Sequence, residues 1–321
     1  MSTLPYLDGV TVRAALPWNV AIEGIEAALR GPVDPESDGP RLFAPTPHGE
    51  FLLMPATAGN AMGVKLLTVS PGNPERGLEK IQGVYVLFDA DTSAPICVMD
   101  GIEVTAVRTP AITLAGLRAL AAAAPAGEEV PAEPRVLVYG AGIQASNHIR
   151  AARWAWPAAS FALIGRREAR IRAAIDALAA DGIRVEDATA RSGDALREAD
   201  VVITTTSSRE PIFDGALVRD GAIVGAIGQH GLDAREVDAT LVHRSDVVLE
   251  SRAGMFREGG NIIPARSVEE WRELQPATLR DAVRGEFTRT PGKPALYTGV
   301  GMSWEDLVLA NIVFREHEAR A

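Results

Sequence analysis

Arg135-Val-Leu-Val-Tyr-Gly140-Ala-Gly142-Ile-Gln-Ala145 is the stretch that decides the fold. Val136, Leu137 and Val138 make a short apolar run rich in β-branched side chains, as a strand buried on both faces requires. Gly140-Ala-Gly142-Ile143-Gln144-Ala145 follows, and residues 146–156 carry a helical pattern closed by Pro157. Strand, glycine turn and helix in that order turn a G-x-G-x-x-G/A match into a dinucleotide signature. Gly140 permits the tight turn, Gly142 lets the backbone approach a pyrophosphate, and Ala145 is small enough for close helix–strand packing. The helix N-terminus offers unpaired N–H groups to an anion. A glycine-rich turn with no ligand is the plain alternative, and a second strand at the right distance argues against it.

Downstream of the turn, strand-like and helical segments alternate. Strands are expected at 161–164, 184–187, 199–204, 222–227 and 246–249, with a helix at 168–180. This alternation predicts an α/β, doubly wound parallel sheet. The second strand ends at Ile164, where a fold that takes NAD presents an acid to the ribose hydroxyls. Gly165-Arg166-Arg167 stands there instead, with no acid at the tip. Arginine presents a planar fork of donors suited to phosphate. The pair therefore predicts NADP(H) in preference to NAD(H), against the simpler view that both arginines are solvated.

Upstream, a helix is expected at 20–30 with Asn19 as its N-cap, after a turn at Asp8-Gly9. Short strands at 51–54, 63–69, 83–88 and 94–99, joined by turns, suggest an antiparallel or mixed sheet. A long helix is expected at 108–124, and the polar, proline-bearing stretch 127–134 connects it to the glycine turn. The expected domains are residues 1–125 together with 299–321, and residues 126–298. Lys65 lies among apolar neighbours in Gly63-Val-Lys-Leu-Leu-Thr-Val69, either snorkelling outward or facing a cleft. Arg108 at the start of a helix is a cation where the helix dipole disfavours one, which suggests an anion held there. His230 follows the strand at 222–227 and could act as a general acid, or simply be solvated. The remaining histidines show no metal-ligand spacing, and no metal is expected.

The net charge of −10 over 321 residues argues against nucleic acid or an anionic membrane as partner. A single cysteine, Cys97, excludes an intrachain disulfide. No apolar run is long enough to span a bilayer and no signal peptide is visible, so a cytoplasmic protein is expected.

Several motifs in one order resemble the ornithine cyclodeaminase/mu-crystallin family across about residues 41–310. They are Gly63-Val-Lys65 with Ser70-Pro-Gly-Asn73, Gln82-Gly83 to Asp89, Met99-Asp-Gly with Ala106-Val-Arg108-Thr109, the glycine turn, Thr204 to Pro211, and Val300-Gly-Met-Ser-Trp-Glu305-Asp306-Leu. The resemblance implies a Rossmann domain beside a smaller α+β substrate and dimerisation domain completed by the C-terminal helix, and a homodimer. It implies that Arg41, Lys65 and Arg108 hold the substrate carboxylate, with Met54, Lys80, Val300 and Gly301 near the rest of a small amino- or imino-acid substrate. The dinucleotide is expected on Thr109, Gly140, Gly142, Ile143, Gln144, Ala145, Gly165, Arg166, Arg167, Thr204, Thr205, Thr206, Ile227 and Gly228.

The chain also departs from the family's cyclodeaminases. Leu52 stands where they carry an acid, Lys80 where they carry a threonine, and His230 where their catalytic aspartate falls. These changes point away from cyclising ornithine and towards hydride chemistry at a C=N bond next to a carboxylate. Lys65 and His230 are the catalytic candidates, either able to supply a proton. The alternatives are a cyclodeaminase acting on ornithine or a related diamino acid, and a non-catalytic NADPH-binding protein of the mu-crystallin type.

Overall fold

The computed structural model describes residues 4–59, 61–228 and 231–320. The chain forms two compact units, Met1–Arg108 with Met302–Ala321, and Thr109–Gly301.

The first unit is a six-stranded sheet with helices on one face. Its strands are β1 (Tyr6–Leu7), β2 (Leu42–Thr46), β3 (Gly49–Ala58), β4 (Ala61–Val69), β5 (Ile81–Asp89) and β6 (Pro95–Asp100). They lie in the order β1-β6-β5-β4-β3-β2. β1 runs parallel to β6 and every other pair is antiparallel, so the sheet is mixed, as expected. Alternation places Leu52, Met54 and Ala56 of β3 on the buried face with Gly63, Lys65 and Leu67 of β4. Met54, Lys65, Tyr85 and Met99 are register partners in one row across four strands. The C-terminal helix, Ser303–Arg320, packs over β3, β4 and β5 and against α2 (Trp18–Arg30), whose Ile22, Ile25 and Leu29 are fully buried.

Three helix starts in this part of the chain differ from expectation. Asp8 does not turn the chain; its carboxylate accepts from the Thr11 N–H and opens α1 (Gly9–Ala15). α2 begins at Trp18 after Pro17, so Asn19 lies inside it and is no cap. The long helix α3 spans Gly101–Ala122 and begins seven residues before Arg108. Asp100 Oδ1 accepts from the N–H groups of Ile102 and Glu103 at 2.9 Å each, which fixes that start. Arg108 is therefore well inside the helix, and the dipole argument for an anion beside it falls.

The second unit is an eight-stranded, wholly parallel sheet with helices between its strands. Its strands are β7 (Arg135–Tyr139), β8 (Ser160–Ile164), β9 (Val185–Asp187), β10 (Val201–Thr204), β11 (Ile223–Ala226), β12 (Asp246–Leu249), β13 (Ala277–Thr278) and β14 (Ala295–Thr298). The order is β9-β8-β7-β10-β11-β14-β12-β13. The strand sequence reverses between β7 and β10, the place where doubly wound sheets bind dinucleotides. α4 (Ile143–Ala155) starts three residues earlier than read from the sequence, directly from Gly142, and α5 (Glu168–Ala180) matches its expected span. β14, whose four residues were not read as a strand, inserts between β11 and β12 and is fully buried.

Candidate active site

In the second unit the switch point is built tightly. Gly140 has φ +129°, and a Cβ there would meet the Thr205 hydroxyl. Thr205 stitches the tips of β10 and β7, its N–H and its hydroxyl both donating to Tyr139 O, at 2.8 and 3.0 Å. Gly142 caps α4 with no side-chain bond to the helix, and the space where its Cβ would stand is open. An uncapped helix start beside an open glycine fits a pyrophosphate, which would take those N–H groups. A Cβ at Gly165 would lie 2.8 Å from the Ile171 side chain and 3.2 Å from that of Ala141. Arg166 and Arg167 follow it, both exposed at the head of α5.

Thr204, Thr206 and Gly228 share a partner that the sequence did not reveal. Glu236 is fully buried, and its carboxylate accepts from Thr204 Oγ1 at 2.6 Å, Thr206 N at 2.5 Å, Thr206 Oγ1 at 2.7 Å and Gly228 N at 2.7 Å. Its own N–H donates to Asn261 Oδ1. Burial raises the Glu236 pKa and the four donors oppose that rise. Asp233 and Asp238 flank it within three residues, and no local pattern marks Glu236 as the buried one. Glu250, at the end of β12, likewise accepts from the N–H groups of Val300 and Gly301 at 2.9 and 3.0 Å. Two buried carboxylates thus hold the loops at the carboxyl ends of β10, β11 and β14. Ile227 is half-buried beside Gly228, as is Thr109 on α3. His230 lies outside the described residues.

In the first unit Lys65 does not snorkel. It is 1% exposed, and its Nζ donates to Asp306 Oδ2 at 2.7 Å and to Thr105 Oγ1 at 3.2 Å. Arg108 Nη1 donates to Glu305 Oε2 at 2.9 Å, and its Nε lies 3.5 Å from Asp306 Oδ1. Glu305 also accepts from the Met302 N–H, which shapes the first turn of the C-terminal helix. Burial pulls the Lys65 ammonium down to about 8; Asp306 opposes this, and the charges of Arg108 and Arg41 add to it. Lys65, Arg108 and Arg41 therefore share one electrostatic neighbourhood. Asp38 accepts from the Ser303 N–H at 2.8 Å, and burial, with help from Glu305 and Asp306, pushes its carboxyl up to about 7. Burial raises the Tyr85 hydroxyl well above its usual value, as do the charges of Asp306 and Asp38.

A cavity of about 410 Å³ lies in the same unit, lined in part by Asp38, Pro55, Ala56, Thr57 and Trp304; Lys65 and Arg108 do not line it. Met54 is buried next to Lys65 in register, and Leu52 joins Met54 and Leu67 in a small apolar cluster. Lys80 is exposed just ahead of β5. Asp306 and Glu305, which organise the cations, were seen in the sequence only as part of a family motif.

Residues 10–320 match the family model described as ornithine cyclodeaminase/mu-crystallin family. The Δ1-pyrroline-2-carboxylate reductase 2 of Burkholderia ambifaria is 34% identical over 314 residues, covering 96% of this chain and 94% of that relative. A Δ1-pyrroline-2-carboxylate/Δ1-piperideine-2-carboxylate reductase of Azospirillum brasilense is 33% identical over 310 residues, covering 96% and 94%. Among solved structures, Thermococcus litoralis Δ1-pyrroline-2-carboxylate reductase, in complex with NADH and L-proline, shares the fold with TM-score 0.83 at 23% identity, over 99% of this chain and 98% of that one.

Proposed function

The chain belongs to the ornithine cyclodeaminase/mu-crystallin family, and from that membership we propose that it is an NAD(P)H-dependent oxidoreductase reducing the C=N bond of a small cyclic α-imino carboxylate. The observation that carries this is the buried cation cluster of Lys65 and Arg108 in a chain a third identical to imino-acid reductases along 96% of its length. When bound, the reduced dinucleotide supplies hydride to the imine carbon. The chain's own residues do the rest. Lys65, Arg108 and Arg41 attract the substrate carboxylate and fix the imine's orientation, which is worth several powers of ten in effective concentration. Glu305 and Asp306 hold the Arg108 and Lys65 cations in place for that carboxylate. An ammonium at about 8 is charged at neutral pH, so Lys65 holds a proton that the imine nitrogen could take. His230 is the second proton source we propose.

For the cofactor, we assign the pyrophosphate to Gly142 and the start of α4, and the 2′-phosphate to Arg166 and Arg167, with NADP(H) preferred. The first unit is assigned the substrate, and the second the dinucleotide. A homodimer is favoured by the edge strand β2, where Leu42 and Phe43 are 52% and 55% exposed. Among the described residues no helix is long and apolar enough to cross a membrane, and a cytoplasmic location fits that.

The test is a steady-state assay with Δ1-pyrroline-2-carboxylate and Δ1-piperideine-2-carboxylate. Substrate-dependent loss of reduced-nicotinamide absorbance is expected with at least one. Ammonia release from ornithine or lysine with no net change in that absorbance would make the protein a cyclodeaminase instead.

A further inference from the structure

Asp306 stands between two of the cations assigned to the substrate. On the C-terminal helix it follows Glu305, and successive helical residues point about 100° apart. Glu305 meets one edge of the Arg108 guanidinium while Asp306 reaches both Lys65, on β4, and the Nε side of Arg108, on α3. Asp306 is fully buried, and Lys65 nearly so. The groups facing the Lys65 ammonium are Asp306 from the C-terminal helix, Arg108 and Thr105 from α3 and Arg41 ahead of β2, with Tyr85 of β5 its register partner; beyond them, Glu305 pairs with Arg108, and Asp38 feels Glu305 and Asp306. Asp306 is the acid in hydrogen-bond contact with that ammonium. A buried amine that loses its counter-ion sheds its proton instead of staying charged.

We propose that Asp306 is a positioning residue for imine reduction: its carboxylate aims the Lys65 ammonium and the Arg108 guanidinium together, and keeps that ammonium charged in its buried setting. The proposal rests on the assignment of Lys65 and Arg108 to the substrate carboxylate. Asp306 touches no substrate; it acts through Lys65.

Asp306→Asn keeps the shape and removes the charge. The basic limb of its kcat/KM profile is expected to move down by about one pH unit or more, since Lys65 then gives up its proton earlier. The KM for the imino acid should rise about tenfold or more, with the Kd for NADPH, read by fluorescence titration, within about twofold of the parent. Asp306→Glu restores the charge and should return the basic limb towards the parent's position. A basic limb that stays in place in Asp306→Asn overturns the proposal. Lys65→Met and Arg108→Met separate the two layers. If both keep the parent's KM for the imino acid, the carboxylate assignment itself fails and the proposal falls with it. If they lose substrate affinity while Asp306→Asn leaves the limb unmoved, only the role of Asp306 fails. Should Asp306→Asn not fold, Asp306→Asn with Lys65→Met removes both charges and is expected to recover folded protein. A double variant no more stable than the single one overturns the proposal by that route.

Discussion

Arg166 and Arg167 face solvent at the tip of β8, with Gly165 before them close to the Ile171 side chain. A charge-assisted contact to a phosphate contributes about 1.5–3 kcal/mol, or tenfold and more in affinity. Arg166→Ala with Arg167→Ala should therefore erase most of the preference for NADPH and leave NADH binding unchanged, as titration of both cofactors would read. Equal affinity of the parent protein for the two would refute the 2′-phosphate assignment. His230 carries a second prediction. An imidazole can donate a proton near neutrality, and losing a general acid slows a reaction by about 10²-fold or more. His230→Ala should lower kcat on that scale with NADPH affinity preserved; near-full activity would leave the proton to Lys65. Single residues also mark the limit of what the sequence discloses. The glycine turn was legible because its local geometry demands those residue types. Lys65 was ambiguous, because whether an amine in a strand snorkels depends on what covers that face. The answer is Asp306, 241 positions away, which no local pattern connects to it. Glu236 was invisible for the same reason: its four donors come from segments about 8 to 32 residues off.

Elements whose identity rests on their own periodicity were read best. α5 ends where its apolar spacing ends, and β3 to β6 follow the alternation that buries Met54, Lys65, Tyr85 and Met99 in one row. Elements set by capping or by distant partners were not. The start of α3 depends on Asp100, which reads equally well as a turn residue, and β14 is four residues that become a strand only by filling the gap between β11 and β12. The sheet of the first unit contains one close approach that the sequence does suggest, the glycine in Gly63-Val-Lys65. A Cβ at Gly63 would lie 2.5–2.8 Å from the Tyr85 ring and hydroxyl, and Tyr85 is fully buried and pinned between β4 and β6. Valine suits a strand better than glycine does. Here overpacking should win, and Gly63→Val should destabilise the first unit by about 1–3 kcal/mol in urea unfolding. Substrate KM should rise as Lys65, two residues on, is displaced, while NADPH binding should hold. A Gly63→Val protein as stable as its parent would mean that Tyr85 can move aside.

At the scale of the whole molecule Asp38 of the first unit and His148 of the second answer acid pH in opposite directions. In the first unit Asp38 sits at about 7, raised by burial from 3.8. Between those values the native state keeps a proton that the unfolded chain releases, so stability falls as pH rises through that window. Lys65, at about 8 against 10.5, is also raised in cost by burial, but its native form has shed a proton that the unfolded chain still holds. Its contribution therefore rises with pH between about 8 and 10.5. In the second unit His148 is fully buried, with Nδ1 against Gln144 O at 2.7 Å and Nε2 against Thr113 Oγ1 at 3.1 Å, and burial lowers it from 6.5 to about 4. The unfolded chain binds a proton there that the native state refuses, so stability rises with pH from about 4 to 6.5. Calorimetry across pH should show these slopes as differences between parent and variant. Asp38→Asn mimics the protonated carboxyl and can still accept from the Ser303 N–H. It should melt with the parent near pH 4 and increasingly above it towards pH 7, with the gain constant from there to about pH 8. His148→Gln should lose the acid-side rise and leave the Asp38 slope intact. An Asp38→Asn gain of equal size at both ends of the window would show that Asp38 carries no proton into the native state, and that its place beside Glu305 and Asp306 costs the fold nothing that pH can relieve.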